Sequence, residues 1–273
     1  AVAAVTGDPN KGDLVSVRSA DGAFLAWGFY SPASQIRVRA LSFNEQEIPT
    51  DDLIAGRIKD AVMRRRDLMA AGNDGVRLIA SEGDLLPGII VDKYNDFIVL
   101  SISSCAMERF FEVFVKTLKE LFPNCSLYER SDTKSRLKEG LAKRSGVICG
   151  LTPPDTLYVL EGNGISIPVD IVRGHKTGAY LDQRASRIHA ATLCENARVL
   201  NCFCYTGGFG LWALKGGAVR VENVDVSAQA LDEAKAGVVF NHLDPGRCRF
   251  IRKDVFEFLR TQVEKGEQYD VVI

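Results

Sequence analysis

Residues 197–210 read ARVLNCFCYTGGFG, an apolar run that passes two cysteines and enters a glycine-rich turn. Beyond the turn, helical and strand patterns alternate. The spacing predicts helix GFGLWALKG, strand AVRVENVD, helix SAQALDEAKAGVVFNH, strand CRFIRKD, helix VFEFLRTQVEK and strand YDVVI, with a helix RIHAATLC opening the series. Strands alternating with helices argue for a parallel sheet in a doubly wound α/β fold. In such sheets the ligand lies at the carboxyl ends of the strands, against the first strand–helix turn. NCFCYTGGFG is that turn.

Its chemistry follows from what it lacks. A dinucleotide fingerprint reads G-x-G-x-x-G and a P-loop ends in G-K-[ST]; Gly207-Gly208-Phe209-Gly210 fits neither, and no lysine stands ready for a phosphate. The glycines still imply a close backbone approach. The next strand ends in Asp225, 18 residues after Gly207, where an acid can accept from ribose hydroxyls. The third ends in Asp254-Val255, an acid for an adenine amino group and an apolar face for its ring. Adenosine without phosphate suits S-adenosylmethionine. Each acid also has a structural reading, since Asp254 with Glu257 and Asp225 with Ser227 look like helix caps. Cys202 and Cys204 could be a redox pair or a nucleophile, and packing beside the turn is the favoured reading.

Upstream the pattern differs. LVSVRS, AFLAWGFYS and QIRVRALSF (14–43) alternate as short strands, with a hairpin turn at Asp21-Gly22. Arg37 and Arg39 fall on one face, Ile36, Val38 and Ala40 on the other. Pro49-Thr50-Asp51-Asp52 starts a helix running to about Ala70. VRLIA, then GIIVDKYNDFIVLSIS, a helix over 107–121, SLYERSD, GVICGLT and the hairpin TLYVLEGNGISIPVDI, turning near Gly162-Asn163-Gly164, make a second unit of α+β character.

Composition sets the limits. Hydrophobic and charged fractions of 46% and 25% are ordinary for a globular protein. No apolar run approaches the ~20 residues of a membrane span. Seven cysteines and three histidines form neither a disulfide framework nor a metal spacing, so no metal is expected. Net charge is −1, but 57–77 and 128–144 each hold six bases against three acids, and 173–187 holds four against one. Such stripes suit phosphates. Arg64, Arg65, Arg66 and Arg130 join Arg37 and Arg39 as candidate RNA contacts.

HKTGAYLDQRASR (175–187) followed by VLNCFCYTGGFG resembles the bacterial 23S ribosomal RNA cytosine-5 methyltransferase I family. YSPASQIRVRALSF, RLIASEGDLLPGIIVDKY and SLYERSD carry the resemblance over nearly the whole chain. It implies a partial PUA β-barrel at 1–43, a helical linker at 44–73, a central α+β domain at 74–160 and an incomplete Rossmann-like class I methyltransferase domain at 161–273. It also implies a cofactor site of Asn201, Tyr205, Gly207, Asp225, Asp254 and Val255, with Gln183 and Arg184 close by, and Lys176 facing RNA.

The activity implied is S-adenosylmethionine-dependent formation of 5-methylcytosine in 23S ribosomal RNA, in the cytoplasm, with no membrane partner and room for a homodimer. Carbon 5 of cytosine becomes nucleophilic only after a thiolate adds to carbon 6, and a base then removes the carbon-5 proton. In the family an Asp-Pro-Pro motif follows the fourth strand and that cysteine lies on the next, so both are expected beyond Ile273. The chain then reads as truncated at both ends and inactive alone. An RNA methyltransferase with another target atom, such as a guanine nitrogen, and a non-catalytic RNA-binding protein are the alternatives.

Overall fold

The computed structural model describes residues 2–162 and 164–273. Its backbone divides into two compact units: residues up to Ala70 with Val76–Pro153, and Ala71–Gly75 with Pro154–Ile273.

In the first unit, β1 (Leu14–Arg18), β2 (Phe24–Tyr30) and β3 (Val38–Ser42) form an antiparallel sheet. α1 (Asp51–Arg64) starts where the sequence places it, its Thr50 hydroxyl accepting from the Leu53 N–H at 3.3 Å. The expected single helix to Ala70 breaks at Arg65, and α2 (Arg66–Ala70) follows. A five-stranded sheet then runs in chain order: β4 (Gly75–Ala80), β5 (Ile89–Tyr94), β6 (Phe97–Ile102), β7 (Ser126–Ser131) and β8 (Arg144–Cys149). β6 and β7 are parallel, linked through α3 (Cys105–Arg109) and α4 (Phe111–Leu121). The expected helix over 107–121 is thus two, parted at Phe110, whose ring packs edge-on against Phe29 at 5.4 Å. α5 (Lys134–Lys138), not foreseen, precedes β8.

One core serves this whole unit. Phe29 and Leu41 of the small sheet, Ile54 and Ile58 of α1, and Leu100 of β6 are buried together. Ile54 and Ile58 are fully buried, and each contributes about 1.5–3 kcal/mol by leaving water. Residues 44–73 therefore do not form the linker the sequence suggests.

The second unit opens with the antiparallel pair β9 (Leu157–Glu161) and β10 (Ile165–Val169). β9, expected in the central domain, belongs here. The anticipated turn includes Asn163, which lies outside the described residues. Then come α6 (Arg184–Ala191), β11 (Arg198–Cys202), α7 (Gly208–Lys215), β12 (Arg220–Asp225), α8 (Ala228–Phe240), β13 (Cys248–Arg252), α9 (Val255–Glu264) and β14 (Val271–Val272). The four strands are parallel in the order β13-β12-β11-β14. Val199, Leu200, Val221 and Val224 are buried on both sides, as a helix-covered parallel sheet requires. The strand order reverses at β11, which fixes where a ligand binds.

Candidate cofactor site

The turn leaving β11 is held in an unusual backbone. Phe203, Tyr205 and Gly207 have φ of 51°, 50° and 78°, three left-handed residues in five. Only glycine takes that region without steric cost. A Cβ on Gly207 would also stand 2.7 Å from the Ala234 Cβ, so α8 could not pack where it does. The turn is held by Gly207 N–H donating to Cys204 O (2.9 Å) and Cys204 N–H donating to Val224 O (3.1 Å).

Asp225, at the end of β12, faces this turn. Its carboxylate accepts from the backbone N–H of Tyr205 and of Ser227, each at 2.9 Å. A carboxylate has about four lone-pair positions, so acceptor capacity remains for a ligand. Asn201 is buried and donates through Nδ2 to Asn223 Oδ1 at 2.9 Å.

These residues open onto a cleft of about 580 Å³, a volume suited to a small molecule. Gln183, Asn201, Tyr205 and Asp225 line it, together with His175, Tyr180, Arg187, Phe203, Val226 and Ser227. The His175 ring stacks on Tyr205 at 4.8 Å, and the His175 backbone N–H donates to the Tyr205 hydroxyl at 3.0 Å. Burial, with the charges of Glu233 and Asp170 adding to it, pushes the Tyr205 phenol up to about 12. It stays a neutral hydrogen-bonding group.

Four expected cofactor residues are not among those lining the cleft. Arg184 points away, donating to Gly75 O with its Nε 3.9 Å from Glu161. Its neighbour one helical turn on, Arg187, lines the cleft instead. Arg187 forks onto the buried Glu161, which also accepts from Trp212 Nε1 at 3.1 Å. Asp254 caps α9, accepting from Glu257 N–H at 3.0 Å, and Val255 is buried in the core with Leu200 and Val224. Neither lines the cleft. Gly207 shapes the turn without lining the cleft. The i,i+3 spacing of the two arginines in DQRASR is the signal that could have drawn attention to Arg187.

Both cysteines are poor nucleophiles. Burial raises the Cys202 thiol, and burial with the Asp225 charge drives Cys204 far above the ordinary range. Thiolate is scarce at neutral pH, and packing is the role the geometry supports.

Most of the expected RNA contacts are committed internally. Arg39 pairs with buried Glu139 at 3.1 Å and with Glu82. Arg64 and Arg65 both grip buried Asp84, at 2.8 and 2.7 Å. Arg130 is only 7% exposed and pairs with Asp132. Arg66 is exposed beside Asp67. Arg37 is exposed and donates to Pro32 O, though it precedes β3 and Ile36 is exposed beside it. Lys176 is exposed, 5.6 Å from the centre of the Tyr180 ring.

Comparison with known proteins agrees with this geometry. Residues 143–273 match the S-adenosylmethionine-dependent methyltransferase family and residues 1–43 the PUA-like domain. The ribosomal RNA large subunit methyltransferase I of Aeromonas hydrophila is 47% identical, over 98% of this chain and 68% of the relative. The chain belongs to the ribosomal RNA large subunit methyltransferase I family. Its namesake from Photobacterium profundum is 49% identical over 97% of this chain and 67% of its own length.

Among solved structures, a putative S-adenosylmethionine-dependent methyltransferase from Streptococcus mutans shares the fold. Its TM-score is 0.84 at 24% identity, over 96% of this chain and 68% of that one. A putative methyltransferase complexed with SAH gives 0.85 at 24%, over 96% and 67%. Membership makes S-adenosylmethionine the cofactor. The cleft fits it: an acid with spare acceptor positions, a turn without phosphate ligands, and the Arg187 cation in the wall. Among the described residues no cluster of His, Cys, Asp or Glu is arranged to hold a metal, and no helix is long and apolar enough to cross a membrane.

Proposed function

We propose that this protein methylates carbon 5 of a cytosine in 23S ribosomal RNA, in the cytoplasm, using S-adenosylmethionine held in the cleft beside Asp225. The bound cofactor supplies an electrophilic methyl group. Asp225, Asn201, Tyr205 and Gln183 are its contacts, with the backbone around Gly207 close to it. Residues 1–43 act as an RNA-binding domain and the second unit as the methyltransferase domain.

The observation that carries the reading is the pairing of Asp225 with the 203–207 turn, which presents an acid and no phosphate ligand to the cleft. Neither Cys202 nor Cys204 is poised as the carbon-6 nucleophile, since burial holds both thiols protonated. The protein is therefore expected to bind cofactor without any part being played by the Cys202 and Cys204 thiols.

Incubating the chain with 23S ribosomal RNA and methyl-labelled cofactor, then digesting to nucleosides, tests this. Calorimetry is expected to detect cofactor binding, and label that reaches 5-methylcytidine but is lost in Cys202→Ser/Cys204→Ser overturns the assignment of the two thiols. Deleting the gene and analysing 23S ribosomal RNA identifies the target atom. Loss of one 5-methylcytidine is expected. Loss of a methylated guanine instead would favour nitrogen methylation, a second reading that the inert thiols permit because it needs no cysteine.

A further inference from the structure

Arginines and lysines play different parts in the first unit. In the stretch 128–144 the six bases are Arg130, Lys134, Arg136, Lys138, Lys143 and Arg144, against Glu129, Asp132 and Glu139. The structure matches every acid with an arginine. Arg144 takes Glu129 at 3.0 Å, Arg130 takes Asp132 at 3.5 Å, and Arg39 reaches in from β3 to Glu139 at 3.1 Å. Arg136 is buried, donating to Ala142 O, Ile102 O and Glu108. This division is chemically sensible, because a planar guanidinium forks onto carboxylates and carbonyls while a lysine ammonium keeps its water.

Three lysines are left over. Lys134, Lys138 and Lys143 are exposed and pair with no acid among the described residues. Lys134 and Lys138 stand four apart on α5, hence on one face. Lys143 lies in the turn that follows α5 and is tied to it, Ala142 O accepting from Arg136 Nε and Leu141 N–H donating to Arg136 O at 3.2 Å. A fourth cation joins from the small sheet's leading segment: Lys11 Nζ donates to Gly140 O at 2.8 Å. Close packing closes the junction, for a Cβ on Gly140 would lie 3.2 Å from the Ala33 Cβ. Arg37, bonded to Pro32 O, lies on that same loop.

We propose that this lysine surface, built from α5, the 139–143 turn and Lys11, is where the first unit grips the phosphate backbone of its RNA. It replaces the arginine face of β3 and the Arg64–Arg66 run, whose charges are largely spent inside the protein. The proposal rests on the reading of RNA as substrate. Such a surface gives affinity and register without reading sequence. Its signature is counterion release, with log affinity falling by about 0.7 per neutralised phosphate for each unit of log salt on single strands.

The test measures binding of a labelled RNA stem-loop at several salt concentrations. The wild-type chain is compared with Lys134→Glu/Lys138→Glu/Lys143→Glu and with the control Lys59→Glu/Lys116→Glu, which reverses exposed lysines of α1 and α4 in the same unit. Calorimetry with S-adenosylmethionine and a thermal melt confirm that both variants fold. The triple variant is expected to weaken binding at least about tenfold near 0.1 M salt and to reduce the slope by about 2. The control should leave the slope unchanged. A triple variant with wild-type slope, or a control that loses as much, overturns the proposal. A wild-type chain that binds cofactor but no RNA overturns the substrate reading itself, and this proposal with it.

Discussion

The backbone N–H of Tyr205 donates to the Asp225 carboxylate at 2.9 Å, so the turn after β11 and the acid ending β12 are one hydrogen-bonded unit. The same acid holds Ser227 N–H, at the start of α8. Removing the carboxylate therefore both strips an acceptor from the cleft and loosens its floor. Asp225→Ala should weaken S-adenosylmethionine binding at least about tenfold and cost about 1.5–3 kcal/mol of stability through its charge-assisted bonds. Calorimetry and denaturant unfolding read the two separately, and full affinity in the variant would remove Asp225 from the site.

Gly207 is a steric test of the same turn. With φ at 78° and Ala234 2.7 Å from a hypothetical Cβ, Gly207→Ala should destabilise the protein by about 1–3 kcal/mol. The double change Gly207→Ala/Ala234→Gly should recover part of that loss. No recovery would mean that the backbone angle, not the contact, sets the cost.

The two thiols near the cleft should be slow to react. Alkylation of Cys204 at pH 7 is expected to lag a free cysteine by more than about tenfold and to accelerate as pH rises, because the raised pKa leaves little thiolate. Cys202→Ser/Cys204→Ser should keep cofactor affinity within about threefold, as packing residues allow. A large loss of affinity would give one of them a direct part in binding.

Asp84 gives the first unit an acid-sensitive joint. Burial opposes its ionisation, yet hydrogen bonds from Arg65, the Ala80 N–H and Arg64 hold its carboxyl below the usual range. A depressed folded-state value means the stabilisation is present above the ordinary unfolded carboxylate value and is lost as pH falls through the folded one. Asp84→Asn should flatten the acid limb of a stability-against-pH curve. At neutral pH, Asp84→Ala should cost about 3 kcal/mol by leaving two guanidiniums without their shared partner.

The parallel sheet was readable because its evidence is local. ARVLNC, VRVENVD and CRFIRK are apolar runs of strand length between helical patterns, and each became a parallel strand. The acid at Asp225 was legible for the same reason. Asp254 and Val255 are a helix cap and a core residue in the structure, and the sequence could not separate those parts from a ligand's, since one residue type at a strand end serves all three. The pairing of the basic stripes was harder to read. Arg39, Arg64 and Arg65 find Glu139 and Asp84 some 20 to 100 residues away, and no window of sequence displays such partners.

Glu161 faces Arg184 and Arg187 together, one carboxylate against two guanidiniums, behind the wall of the cleft. The surplus positive charge is mostly buried, so added salt screens it less than it screens the lysines on the surface of the first unit. The protein would then meet its two ligands under two electrostatic regimes. Raising ionic strength should release RNA while the cofactor stays bound.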